Sequence, residues 1–428
     1  MKGTFRSLRN PNYRLWAGGA VVSNVGTWMQ RTAQDWIVLT QLTHHNATAV
    51  GIVMGLQFGP QLLMLPFSGF AADHLDRRKL LLATQASMGL LALCLGLLTV
   101  TGLVQLWHVY VFAFLLGCAA AFDAPARQTF VSELVGEDDL SNAVGLNSTS
   151  FNAARMIGPA VAGVLIAGVG TGWVFLINAV SYAAVILSLC LIRVDTLHRG
   201  ERAVRKRGSL IEGFRYVWQR PDLKSVLCML LFVGTFGLNF PIFISTMSVT
   251  AFHAGAGEYG LLTSTMAIGS VVGALLAAQR AKAHAALLFS AAAVFAFGLA
   301  FAALMPTVWL FGVALAIVGI AAQTFTTTVI STVQLSTAPA MRGRVMAIVM
   351  AIALGGTPIG APIVGWVADT FGPRWAMAVG ASAGLAAALV GVRYLTKYRQ
   401  LRVRFSERRI RFSVADASAL NDSHSAIT

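Results

Sequence analysis

Long uncharged apolar runs, broken by short polar or basic stretches, set the pattern of this 428-residue chain. A helix that crosses the hydrocarbon of a bilayer needs about 20 mostly apolar residues. Six such runs cover 15–42, 48–71, 80–103, 106–130, 142–168 and 173–192. Six more cover 225–250, 259–279, 285–305, 308–334, 345–368 and 375–392. The pattern predicts an all-α integral membrane protein of twelve transmembrane helices. It divides into a first six-helix bundle over 1–192, a linker over 193–224, a second bundle over 225–396 and a tail over 397–428.

The two sets of six are related. Trp107 and Trp309 lie 202 residues apart, and the same offset joins Gly117 to Gly319, Gly158 to Gly360, Gly163 to Gly365, Gly170 to Gly372 and Trp173 to Trp375. Earlier in each set the offset is 209, as between Gly51 and Gly260. Duplication predicts two pseudo-symmetric bundles, a known transporter plan in which the substrate lies between the repeats.

Two segments outside the apolar runs carry patterns of their own. Within the linker, Leu210, Phe214, Val217 and Trp218 fall on one face of a short helix over 209–218. That amphipathic face is expected to lie along the inner membrane surface. The tail is basic and then polar, and its end is expected to be disordered.

Composition sharpens the picture. Hydrophobic residues make up 56% of the chain and charged residues only 11%, against roughly 25% charged in ordinary globular domains. So few charges cannot cover a water-soluble surface. A net charge of +15 raises nucleic acid as a partner, but the basic residues sit in clusters between apolar runs, and no nucleic-acid partner is expected.

Of 32 Lys and Arg, 29 lie on one side: the N-terminus, the 73–79 loop, Arg127, the linker, Arg280 with Lys282, Arg342 with Arg344, and the tail. Arg374 stands on the other side, and Arg31 and Arg155 fall inside predicted helices. The positive-inside bias then predicts a cytoplasmic location for both termini and the linker. No cleaved signal peptide is expected, because the first apolar run is far longer than a signal core. Cys94, Cys118, Cys190 and Cys228 all lie in apolar runs without metal spacing and read as packing residues.

Intramembrane charge is the sharpest chemical signal. Arg31 and Asp35 are four apart and share a face of the first helix, with Asn24 and Thr27 on the same polar arc. Arg155 lies about 14 residues into the fifth run, roughly 21 Å along the helix. Unpaired charge at that depth costs a few kcal/mol, so such groups face a cavity or pair with one another. Two readings of Asp35 stand side by side. It is a proton-exchanging carboxylate for which Arg31 or Arg155 competes, or it forms a static pair with Arg31; Asp123 is a further proton-coupling candidate. Substrate-cavity candidates are Asn24, Thr27, Asn239, Gln323, Thr327 and Ser331, and for each, helix-to-helix bonding is the competing role.

Several motifs resemble the major facilitator superfamily. Gly69-Phe70-Ala71-Ala72-Asp73-His74-Leu75-Asp76-Arg77-Arg78-Lys79 is similar to its signature after the second helix, departing from it at His74 and Asp76. The resemblance implies that Gly69, Asp73, Arg77 and Arg78 latch the halves in an outward-open state. Gly158-Pro159-Ala160-Val161-Ala162-Gly163 is similar to the superfamily's antiporter signature, with Ala162-Gly163 in place of a closing Gly-Gly. Proline bends a helix and glycine permits close crossing.

Ser23-Asn24-Val25-Gly26-Thr27-Trp28-Met29-Gln30, Asp123-Ala124-Pro125-Ala126-Arg127-Gln128 and Gly355-Gly356-Thr357-Pro358-Ile359-Gly360 narrow the resemblance. They are similar to the bacterial exporter branch that includes the enterobactin exporters and the transmembrane secretion effector group. That resemblance implies proton-driven efflux of small amphipathic molecules, such as drugs or siderophores, across the bacterial plasma (inner) membrane. It also implies a monomer with no cofactor beyond the proton gradient. An importer or lipid flippase of the same fold is the alternative within the class, and a membrane-embedded enzyme or sensor the alternative outside it.

Enzyme-like patterns do not hold up. Gly380-Ala381-Ser382-Ala383-Gly384 matches GxSxG but lies inside an apolar run with no strand before it. No Lys follows a Gly, so no phosphate-binding loop of the GK[ST] type exists and ATP is not expected as a partner.

Overall fold

The computed structural model describes residues 5–198, 210–278, 285–398, 402–406 and 409–413. The helices of the first half are α1 (Pro11–Ile37), α2 (Ala47–Leu63), α3 (Leu65–His74), α4 (Arg77–Val100), α5 (Leu106–Leu134), α6 (Glu137–Val169) and α7 (Thr171–Leu191). The second half holds α8 (Leu210–Gln219), α9 (Pro221–Phe232), α10 (Phe240–Thr246), α11 (Ala256–Ala278), α12 (Ala285–Ala303), α13 (Val308–Ser336), α14 (Pro339–Phe371) and α15 (Pro373–Tyr398). Among the described residues, nine helical segments are long and apolar enough to cross a bilayer, and two shorter apolar helices accompany them. The molecule is an all-helical bundle of multi-pass membrane type.

Local sequence explains where the helices begin and end. Asn10 caps α1 by accepting from the amides of Asn12 and Tyr13 at 2.9 and 3.3 Å. Asn46 does the same for α2 through Ala49, and Asp76 for α4 through Lys79. Three acids, Glu137, Asp138 and Asp139, occupy the positive first turn of α6. Pro60 lies within α2, and the helix breaks at Met64 before α3 resumes. The first long segment of the second half, Pro221–Ala251, is broken too, with wider π-type turns at Val233–Gly237 and Met247–Ala251.

The internal repeat is written into the helix bounds. α5 and α13 each have 29 residues and start 202 positions apart. α6 and α14 each have 33, at the same offset. Both of the latter end on a glycine in the left-handed region, Gly170 at φ 87° and Gly372 at φ 99°. Only glycine takes that turn without a steric cost.

Two seams join the halves, α2 against α14 and α6 against α11. They are pseudo-symmetric in detail. A methyl group on Gly51 of α2 would run into the carbonyl of Ala361 on α14, and one on Gly260 of α11 into the carbonyl of Pro159 on α6. Gly365 of α14 and Gly163 of α6 complete the quartet against Ala47 and Ala256. All of these lie toward the end of the bundle remote from the basic clusters.

Outside the bundle, α8 is amphipathic as its sequence predicts. Ile211, Phe214 and Trp218 are exposed while Val217 is buried. Glu212 pairs with Arg344 of α14 at 2.7 Å, which ties the linker to the second half. The side chain of Leu210, assigned to the same face, lies outside the described residues. The tail adds an element that the all-α expectation lacks. β1 (Arg402–Ser406) and β2 (Arg409–Ser413) form an antiparallel hairpin pairing Arg404 with Arg411. Arg-Val-Arg-Phe and Arg-Ile-Arg-Phe alternate polar and apolar residues, which is the two-residue period of a strand. The end of the tail, 414–428, lies outside the described residues.

Candidate functional site

A cavity of about 230 Å³ opens between the two halves. From α1 it receives Trp28, Arg31 and Asp35, one turn apart on a single face. α6 contributes Arg155, and α2 contributes Gln57 and Phe58. Opposite them, Tyr259 and Thr263 of α11 and Phe240 of α10 close the wall. Arg31 and Asp35 of the polar stripe therefore face a cavity rather than lipid.

Asp35 is engaged across the interface. Tyr259 donates its hydroxyl to Asp35 Oδ2 at 3.3 Å, and the neighbouring Trp36 stacks on the Tyr259 ring at 5.8 Å. The arginines behave differently. The Arg31 guanidinium lies 5.0 Å from the Trp28 ring and 5.6 Å from Phe58, and the Arg155 guanidinium sits 5.6 Å from Trp28. Trp28 is thus flanked by both cations. Among the described residues neither arginine forms an ion pair with Asp35. Arg31 Nε and Trp28 Nε1 are buried with no hydrogen-bond acceptor.

Asp123 lies elsewhere, in a closed network inside the first half. It accepts from Thr84 at 2.9 Å and Gln85 at 2.6 Å, and pairs with Arg127 at 3.2 Å. Arg127 also reaches Asn24 at 3.5 Å and lies over the Trp16 ring. Asn24 therefore belongs to this network. Thr27 donates to its own helix at Ser23 and contacts the Tyr182 hydroxyl. Asn239 donates to the Thr235 carbonyl at 2.7 Å, and Gln323 to Thr327 at 3.1 Å. None of these, nor Ser331, lines the described cavity.

The expected latch loop is anchored within the first half. Arg77 pairs with Glu133 of α5 at 2.8 Å, and Arg78 donates to the Leu189 carbonyl of α7 at 2.7 Å. Gly69 has open space beside it. Asp73 falls within α3, and its side chain lies outside the described residues. The antiporter-like stretch works as a two-sided packing surface. Gly158 receives Trp28 of α1, while Pro159 and Gly163 meet α11. Gly380 and Gly384 of the GxSxG match pack on Phe243, Phe295 and Ala296, so that pattern is a helix contact.

Residues 2–417 match the transmembrane secretion effector family of the major facilitator superfamily. The chain belongs to that family. It is a membrane transporter and not an enzyme. The staphyloferrin A transporter of Staphylococcus aureus (strain NCTC 8325 / PS 47) is 26% identical, over 81% of this chain and 87% of that protein. The multidrug efflux pump Tap of Mycolicibacterium fortuitum is 27% identical, over 82% and 88%. The enterobactin exporter EntS of Shigella flexneri is 25% identical, over 85% and 87%. In fold, the chain resembles a bacterial homologue of the lysosomal transporter Spinster, with a TM-score of 0.67 and 15% identity over 90% of this chain and 95% of that one.

Sequence reasoning placed three charged groups of this cavity, Arg31, Asp35 and Arg155, but missed the partners that give them meaning. Tyr259 carried no signal beyond being an aromatic beside Gly260, a member of the repeat. Trp28 lies inside the Ser23–Gln30 motif, where the sequence alone gives it no role. Asp369 was silent as well: its carboxylate accepts from the amides of Ala47 and Thr48 at 2.6 and 2.8 Å, capping α2 from the other half.

Proposed function

We propose that this transporter is a proton-coupled exporter, an antiporter of small amphipathic molecules such as drugs or siderophores. It works by alternating access in the bacterial plasma membrane, as a monomer driven by the proton gradient and not by ATP. In this reading twelve segments cross the bilayer in two bundles of six. α2 with α3 makes one crossing, and α9 with α10 makes another. Both termini and the linker are cytoplasmic, so the seams formed by α2–α14 and α6–α11 close the outer end.

The observation that carries the reading is Asp35. It is the carboxylate of the cavity, it is hydrogen-bonded by Tyr259 of the opposite half, and it lies beside two arginines it does not pair with. A carboxylate whose partner sits on the other half changes its surroundings when the halves separate. Its proton affinity then changes with the state of the transporter. Similarity to the efflux pump Tap and the exporter EntS supports the outward direction.

The test is transport into everted membrane vesicles under an imposed pH gradient, with a panel of fluorescent drugs of differing charge. Wild-type protein should accumulate at least one of them, and collapse of the gradient should release it. Accumulation that persists without a proton gradient overturns proton coupling. Asp35→Asn should lose uphill accumulation and keep downhill exchange; uphill transport at the parental rate moves the coupling away from Asp35.

A further inference from the structure

We infer that the cavity selects a cargo bearing an organic anion, a carboxylate or comparable acidic group, attached to a flat apolar body. The inference deepens the export reading, since it rests on this cavity being the cargo site. It starts from charge. Two guanidinium groups, Arg31 and Arg155, enter the cavity from α1 and α6, and one carboxylate, Asp35, faces them. Asp35 accepts from Tyr259 rather than from either arginine. The cavity lining therefore carries a surplus positive charge within the membrane-spanning bundle, where an unpartnered cation is costly.

Donor supply points the same way. A guanidinium presents five N–H donors and no acceptor. Arg31 Nε and the indole Nε1 of Trp28 are both buried without an acceptor. Among the described residues neither the Arg31 nor the Arg155 guanidinium donates a hydrogen bond, and both residues line the cavity, where an acceptor on a ligand would meet them. Trp28 is in contact with both cations, at 5.0 Å from Arg31 and 5.6 Å from Arg155. Both guanidinium groups of the cavity are thus gathered about one indole ring. A planar acidic group is the acceptor that meets a guanidinium with two parallel bonds.

The rest of the wall sets the other half of the chemistry. Phe58 from α2, Phe240 from α10 and Tyr259 from α11 offer ring faces and edges around the same space. Aromatic surfaces of this kind hold a flat apolar body. A cationic amphiphile would meet two guanidinium groups against the single carboxylate of Asp35. A neutral one would leave the surplus charge uncompensated.

The experiment is equilibrium binding to purified full-length protein in nanodiscs, with no gradient imposed. Three probes share one fluorophore: dansylglycine, its neutral analogue dansylglycinamide, and the cationic dansyl-ethylenediamine. Dansylglycine should bind at least tenfold more tightly than the amide, and the amine more weakly still. Arg155→Gln should shrink the acid-to-amide ratio to less than threefold, and Arg155→Lys should restore part of it. If the amide or the amine binds as tightly as the acid to the wild-type protein, the anion inference falls while the cargo site stands. If none of the three saturates, the cavity is not the cargo site, and the inference falls with it. Both outcomes are read on the wild-type protein, so they hold even where a variant fails to fold. Neither depends on proton coupling, which the vesicle assay measures separately.

Discussion

Two carboxylates inside the bundle, Asp123 and Asp35, have opposite characters, and the difference lies in their partners. Asp123 has every neighbour it needs within its own half: Thr84, Gln85 and Arg127. Removing one member of a buried, hydrogen-bonded ion pair strands the other and costs about 3–5 kcal/mol. Asp123→Ala should therefore lower the folded yield and the melting temperature of the detergent-solubilised protein sharply. Asp35 has one cross-half partner and an open cavity in front of it, so Asp35→Asn should leave yield and melting temperature close to the parental values. A comparison of the two variants by size exclusion and thermal melting separates the structural acid from the functional one. The static-pair reading makes a different forecast: Asp35→Asn would reduce yield by stranding Arg31, and Arg31→Gln with Asp35→Asn would recover both yield and uphill transport.

At the scale of elements, α2 is held from both halves. Its N-terminus is capped from its own half by Asn46 and from the other half by Asp369. The second cap exists only while the α2–α14 seam is closed. A side-chain cap is worth roughly 1 kcal/mol, so Asp369→Ala should raise the open-to-closed ratio at this end about fivefold. Labelling of Thr263→Cys by an impermeant maleimide from outside, with the four native cysteines replaced by Ser, should speed up accordingly. Unchanged labelling means that the cap does not hold the seam.

Gly51→Leu acts on the same seam by sterics. Its side chain has no room against Ala361, so it should favour the outward-open state more strongly than Asp369→Ala does. At the other end of α2 and α3, Asp73→Asn should leave expression intact and lower transport if this loop latches the halves in the outward-open state. Parental transport in Asp73→Asn would return the loop to a charged connector.

For the whole molecule, the lopsided distribution of Lys and Arg makes the orientation testable. Reporter fusions at Thr43, Gly102 and Gly170 should read outside, and a fusion at Gly208 inside. One fusion on the wrong side breaks the twelve-crossing arrangement. The repeat gives the two halves matching helices and matching seams, and asymmetry enters through side chains. Asp369 has Ala167 at the corresponding position 202 residues earlier, so one seam carries a charged cap and the other does not. The two seams are therefore alike in their glycine packing and unlike in this cap.

Much of this was legible in the sequence because bilayer burial acts on contiguous segments. Apolar length, loop charge and the glycine repeat each act locally or at fixed offset, and the helix bounds follow them within a few residues. α1 shows why the polar stripe mattered. It is absent from the strongly apolar helices because Asn24, Arg31 and Asp35 interrupt it, and a helix so interrupted must face protein or a cavity. Which of the two each polar residue faces was not legible. Asn24 and Asp35 lie on one arc of one helix, yet Asn24 meets Arg127 inside the first half and Asp35 meets Tyr259 in the second. Periodicity assigns a residue to a face. Only the packing of helices far apart in sequence decides which neighbour stands opposite that face at each depth. That is how the tertiary structure turned one stripe into a structural network at one level and a charged cavity at another.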